Sequence, residues 1–112
     1  MNGLTVRWSL ADAPDGVEEE LASYVAGTSH ARFSTMDELH LKVWRCVPGE
    51  WFEGCYVFAS DMERAAFQAA FTETAAEAPG SKMIGSPPIL IEACEIVAIA
   101  EGGAGFHAAE RF

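Results

Sequence analysis

The stretch Leu39–Phe58, LHLKVWRCVPGEWFEGCYVF, decides the fold. It holds two runs of strand-forming residues, Leu39–Val47 and Trp51–Phe58, joined at Val47-Pro48-Gly49-Glu50. Proline at the second turn position and glycine at the third suit a type II turn, since proline presets φ and glycine tolerates a positive one. Straight after the second run, Ser60-Asp61-Met62-Glu63 forms a capping box, which predicts an alanine-rich helix over about Asp61–Ala78. Strand, turn, strand and capped helix in one short span imply an antiparallel sheet with a helix laid across it.

Working outward, Leu4, Val6, Trp8 and Leu10 alternate with Thr5, Arg7 and Ser9, the period of a strand with one buried face. Asp12-Ala13-Pro14-Asp15-Gly16 interrupts it, with Pro14 placed for a helix first turn. Val17, Leu21 and Tyr24/Val25 follow at helical spacing, and Gly27 is the expected stop. Thr28–Asp37 reads as a polar, irregular connection with a short extra turn. On the second helix Phe67, Phe71 and Ala78 share one face, with Met62, Ala65, Ala69 and Ala76 nearly opposite, so both sides are expected to pack. Pro79-Gly80 ends that helix, and Gly85-Ser86-Pro87-Pro88 leads into a last strand, Ile89–Ala100.

That strand is almost continuously apolar, the pattern of a strand buried on both faces. Two helices cover only one face of a four-stranded sheet, so a second copy of the chain is the expected cover for the other. The predicted class is therefore α+β: a ferredoxin-like βαββαβ domain over residues 1–101. It has a four-stranded antiparallel sheet, two helices on one face and a sheet-to-sheet homodimer, followed by a flexible tail over 102–112.

The 112 residues suit a single domain, and 50% hydrophobic with 21% charged residues is a globular composition. A net charge of −10, from 17 acids against 7 bases, opposes nucleic acid and anionic membrane as partners. Cys46, Cys55 and Cys94 are odd in number and lack C-x-x-C spacing, so they read as small buried hydrophobes in a reducing compartment. No signal peptide or membrane-length apolar run is evident, and a cytoplasmic location is the expectation.

Leu41-Lys42-Val43-Trp44, then Gly54-Cys55-Tyr56-Val57-Phe58, then an acid opening a helix, resembles the YdhR-type monooxygenase family of the dimeric α/β-barrel superfamily. The resemblance spans roughly Leu4–Glu101. Met36-Asp37-Glu38 stands where such sequences carry a Pro-Gly turn, and the connection before the second strand is longer. The resemblance implies a dimer and a monooxygenase-type activity.

No cofactor or metal is expected. His30, His40 and His107 lie in separate segments without ligand spacing, and no glycine-rich phosphate loop or G-x-S-x-G is present. The predicted second helix also carries no histidine for a haem iron. Chemistry therefore falls to strand residues. A tight hairpin puts Leu39, Leu41, Val43 and Arg45 on one face with Phe52, Tyr56 and Phe58, under the helices. His40, Lys42, Trp44 and Cys46 then face outward with Trp51, Glu53 and Cys55.

On this register the catalytic candidates are three. Tyr56 would hold or relay a proton, Arg45 would pair with an enolate or phenolate oxygen, and His40 titrates in the range suited to acid–base work. Trp8, Trp44, Phe58, Phe67 and Phe71 are the candidates for substrate binding, with Trp44 as suited to anchoring the dimer as to touching a ligand.

The expected function is a cofactor-independent monooxygenase acting on a small aromatic or polyketide-like molecule. An electron-rich phenolate can itself reduce dioxygen, so the protein need supply only a dry aromatic pocket and help with deprotonation. A non-redox isomerase, lyase or cyclase in the same pocket, or a non-catalytic small-molecule-binding stress-response dimer, fits the same residues.

Overall fold

The computed structural model describes residues 1–111 and is an α+β chain with one four-stranded antiparallel sheet in the order β2-β3-β1-β4. The strands are β1 (Gly3–Ser9), β2 (Leu39–Val47), β3 (Trp51–Phe58) and β4 (Leu90–Cys94). The order strand, helix, strand, strand, helix, strand with β1 at the centre is compatible with a ferredoxin-like fold. Alternation on β1 sends Leu4, Val6 and Trp8 inward, where they meet Tyr56, Phe58, Leu21 and Ile84 in a single core beneath the helices. No helix among the described residues is long and apolar enough to cross a membrane.

The first helical segment runs farther than the sequence suggests. Gly27 does not stop it. Helix α1 (Val17–Tyr24) passes through a π-helical turn, Val25–Ser29, directly into α2 (His30–Ser34). The supposed irregular connection is therefore mostly helix, and it places Phe33 in the core. Pro14 lies in a turn before the helix, its carbonyl accepting from the Val17 N–H at 3.2 Å, and is not part of the first helical turn.

Helix α3 (Asp61–Thr74) begins as its capping box requires, with Ser60 Oγ accepting from the Glu63 N–H at 3.2 Å. Phe67 and Phe71 pack on the core, whereas Met62, Ala65, Ala69 and Ala76 stay exposed, with no element among the described residues covering them. The helix ends at Thr74 and not at Ala78. A 3₁₀ turn, Ala75–Glu77, follows, and Pro79 then opens a new helix, α4 (Pro79–Ile84). Proline at a first helical position costs no hydrogen bond, which is why it starts a helix here instead of ending one.

The last strand is shorter than predicted. Its pairing with β1 ends at Gly3↔Cys94, because β1 has no strand residues left beyond Gly3 to pair with. Ile89, Val97 and Ile99 are exposed. The cysteines are free; Cys46 is exposed while Cys55 and Cys94 are partly buried, so none is the fully buried small hydrophobe expected.

The hairpin register differs from the expected one by a single residue. Gly49 has φ 77° and the Glu50 N–H donates to the Val47 carbonyl at 2.9 Å, a turn of the anticipated kind. Glu50 nevertheless belongs to the loop, and the first pair of the ladder is Val47↔Trp51. With three loop residues in place of two, the pairing slips by one and the β2 side chains change face, while those of β3 keep theirs. Lys42 now stands opposite Tyr56 and Trp44 opposite Gly54, under the helices. Val43 pairs with Cys55 and Arg45 with Glu53 on the open face. An irregularity between Leu39 and Leu41 returns Leu39 to Phe58 and the core.

Candidate functional site

A pocket opens between the sheet and the helices, with a cavity volume of about 90 Å³. Its floor is Trp8, Lys42, Trp44, Phe52, Gly54 and Tyr56. Val25, Ser29, Arg32 and Phe33 form one wall, from the π turn and α2. Phe67 and Phe71 of α3 and the Ala78-Pro79-Gly80 entry to α4 close the other. The rings form a connected set: Tyr56 lies 5.1 Å from Phe67 and 5.6 Å from Phe33 between centroids, and Trp8 lies 5.8 Å from Phe52. Such offset and edge-on spacings are those of favourable aromatic pairs.

Lys42 gives this pocket its chemical character. Its Nζ sits 3.6 Å from the Phe33 ring centroid, 4.3 Å from that of Tyr56 and 4.5 Å from that of Trp44. The side chain as a whole is only partly buried, but the amine end is ringed by aromatic faces. Among the described residues it makes no ion pair or hydrogen bond, and the nearest charge to affect it is the like charge of Arg32. Burial first, and then Arg32, hold its pKa well below the ordinary lysine value. The facing rings soften that cost by cation–π attraction without matching a carboxylate partner.

Gly54 makes the arrangement possible. A Cβ at that position would lie 3.1 Å from Lys42 Cε and 3.3 Å from Tyr56 Cε1, closer than ordinary contact, so a larger residue here would push both side chains aside by a few tenths of an ångström.

Tyr56 is buried, lines the pocket in contact with the rings of Phe33, Phe58 and Phe67, and its hydroxyl has no hydrogen-bond partner among the described residues. Burial pushes its hydroxyl well above the usual tyrosine range, so it remains protonated and acts as a donor, not as a base. Trp8 differs, because its polar group is satisfied within the protein. Its Nε1 donates to Ser81 Oγ at 2.9 Å, and Ser81 Oγ donates to the Ala75 carbonyl at 2.6 Å. This relay ties the pocket floor to α4 and leaves only the indole's apolar faces for a ligand.

Of the residues expected in the site, Tyr56, Trp8, Trp44, Phe67 and Phe71 come together around this pocket. Trp44 is a correction in its placement, since it packs 5.9 Å from Phe33 under the helices and does not face outward. Phe58 is 0% exposed and belongs to the core behind the pocket, not to its lining. His40 is exposed at the irregularity in β2, away from the lining residues.

Arg45 lies on the opposite face of the sheet from Tyr56. There its Nε donates to Glu53 Oε1 at 2.8 Å, while Arg7 Nε donates to Glu53 Oε2 at 2.7 Å. Glu53 is 1% exposed although it points away from the helices, because the two guanidiniums and Trp51 enclose it. Burial raises the Glu53 pKa, but hydrogen bonds from Cys55, Arg45 and Arg7 outweigh it and hold the carboxyl below its ordinary value.

Lys42 is the residue the sequence reading passed over. A lone lysine alternating with apolar residues looks like a solvent-facing strand position, and the one-residue register error placed it there. The available signal was Gly54, a glycine inside an aromatic strand, which marks a close approach by a neighbouring side chain.

Among the described residues no three His, Cys, Asp or Glu side chains gather closely enough to hold a metal ion. No family model matches the chain, and no curated protein or solved structure is significantly similar to it.

Proposed function

We propose that the chain is an enzyme acting on a small aromatic or polyketide-like phenol, and that its activity is of the cofactor-independent monooxygenase type. The observation that carries this reading is the Lys42 amine, unpaired and ringed by Phe33, Trp44 and Tyr56 in an apolar pocket. An amine with a lowered pKa is available in its neutral form to accept a phenolic proton. The protonated Tyr56 hydroxyl then donates to the phenolate oxygen so formed. An electron-rich phenolate adds dioxygen at a ring carbon, and loss of water leaves a quinone; one oxygen atom enters the ring, the other departs as water, and no external reductant is consumed. The cavity volume of about 90 Å³ is smaller than the ~150 Å³ apolar cavity that accepts benzene, so a substrate is limited to a single ring seated partly in the open mouth of the pocket.

The same unpaired amine also supports a second reading without oxygen. Proton removal followed by return to another carbon would be an isomerisation or cyclisation.

Oxygen uptake measured with a panel of electron-rich single-ring phenols and no added cofactor separates the two. Uptake with quinone formation supports the first, and product without uptake the second. Binding without turnover overturns both in favour of a binding protein. Tyr56→Phe should leave the melting temperature unchanged within about 1 °C, because the hydroxyl has no partner among the described residues to lose. It should lower turnover by about 10²-fold or more, the scale of a positioned proton donor. A destabilised but fully active Tyr56→Phe protein would place the site elsewhere.

A second copy of the chain completes this reading as the cover of the open sheet face, in the manner of dimeric α/β barrels. A folded chain of 12.1 kDa is expected to expose about 6,000 Å². This one exposes 6907 Å², an excess to which both the exposed tail over 97–111 and the open sheet face contribute. Val43 is 45% exposed on that face, and Leu41, Val57 and Leu90 share it. Analytical ultracentrifugation should give a dimer at micromolar concentration and a monomer for Val43→Lys. A wild-type monomer at that concentration overturns the assembly.

A further inference from the structure

Lys42 and Lys82 are the chain's only two lysines, and they differ in every respect that governs amine chemistry. Lys82 is exposed and lies 3.8 Å from Glu77. Among the described residues Lys42 has no acid beside it, and its amine end is held among three rings. Base catalysis needs only a basic atom near the acidic proton. The arrangement around Lys42 offers more, since Lys42 Cε and the Tyr56 ring edge and hydroxyl all converge over Gly54, within 3.1–3.5 Å of where a Cβ would stand. An amine and a proton donor, both without a partner among the described residues and both on the floor of one aromatic pocket, are the set of groups that imine formation requires.

We propose that Lys42 is a carbonyl-capturing nucleophile, forming an imine with a small aromatic aldehyde or aryl ketone seated among Trp8, Phe33 and Phe67. The inference rests on the reading of this pocket as a small-aromatic site, but not on the oxygen step. The Lys42 nitrogen lone pair attacks the carbonyl carbon to form the C–N bond, and a nitrogen proton passes to the carbonyl oxygen, giving a carbinolamine. Tyr56 donates a hydrogen bond to the departing hydroxyl, which takes the remaining proton of the nitrogen as it leaves. The C–O bond breaks, the C=N bond forms, and one water is released, with no change in oxidation state. Attack requires the neutral amine, and the environment that disfavours the ammonium supplies it. The aromatic walls hold the ring of the ligand, and the small cavity limits the class to single-ring carbonyl compounds.

The test uses benzaldehyde as the probe with cyanoborohydride, which fixes any imine as a secondary amine, followed by peptide mapping by mass spectrometry at neutral pH. Lys42 should be modified at least ten-fold faster than Lys82. Its rate should saturate with benzaldehyde and fall when benzyl alcohol, which fits the pocket but carries no carbonyl, is added. Lys42→Met should abolish the fast modification and leave that of Lys82 unchanged. Modification of Lys42 no faster than Lys82, or fast modification that neither saturates nor is competed, overturns the proposal. Titration of the Trp8 indole NMR signal with benzyl alcohol then tells the two failures apart. A saturable shift leaves the aromatic pocket standing with the imine step alone refuted, and no shift refutes both.

Discussion

Lys42→Met should melt at a higher temperature than the wild type at pH 7 while losing at least about 10²-fold in turnover, the scale of a positioned base. Methionine is unbranched, flexible and apolar, so it fills the channel between Phe33, Trp44 and Tyr56 without the cost of enclosing an amine there. The direction of the pH dependence follows from the lowered pKa of Lys42. Between the folded value and the unfolded one of about 10.4, the unfolded chain binds more protons, so wild-type stability rises with pH across that window. Below the folded value the full penalty applies, and above about 10.4 none remains. The advantage of the methionine variant should therefore be greatest at neutral and acid pH and vanish in strong alkali. A variant less stable than wild type at pH 7, or a difference independent of pH, would remove Lys42 from this role. The outcome also separates a functional lysine from a structural one, since a structural group loses stability on removal and a functional one is held at a cost.

Glu53→Ala should cost about 3 kcal/mol and lower the melting temperature by roughly 10–15 °C. The carboxylate is 1% exposed and receives bonds from Arg7, Arg45 and Cys55, so its loss leaves two guanidiniums facing each other around Trp51. The estimate sits at the low end for a broken buried pair because both arginines keep access to water and can rehydrate. The folded pKa of Glu53 is depressed, so its contribution is present above the unfolded value of about 4.3 and is lost as pH falls through the folded value. Thermal melts from pH 7 down to pH 3 should show the wild type approaching the variant. A melting temperature within about 2 °C of wild type at pH 7 would mean that the cluster carries no net stability.

The sequence made the sheet, the capped helix and most of the aromatic pocket legible, for local reasons. Pro48-Gly49 forces a turn, Ser60 caps a helix, and alternation on β1 aims Leu4, Val6 and Trp8 one way. What it left hidden depended on counting across a turn or on tertiary limits. Whether Glu50 belongs to the loop or to the strand is settled by the Leu10 N–H, which donates to its carbonyl at 2.9 Å, a contact 40 residues away in sequence. That one residue exchanged Lys42 and Trp44 with Val43 and Arg45, and with them the reading of the site. The end of β4 at Cys94 is likewise set by the end of β1 and not by its own apolar run. Pro79 and Gly27 are breakers by propensity, yet one opens a helix and the other is carried through one.

The π turn has a geometric consequence for the pocket. At 3.6 residues per turn, each residue advances about 100° around the helix, so an uninterrupted helix would set Phe33 about 160° round from Val17, on the far side. Taking one additional residue into the turn at Val25–Ser29 removes about 100° of that rotation and brings Phe33 back toward the sheet, over Lys42. The helix thus carries a phase shift of one residue, and the aromatic wall depends on it. Winding this segment as regular α-helix at unchanged length would swing Phe33 out toward solvent and open the ring around the amine, whereas deleting one residue from it would restore regular winding and leave Phe33 over the sheet. The winding of the segment between Leu21 and Phe33 thereby becomes as much a determinant of the pocket as the identity of any residue that lines it.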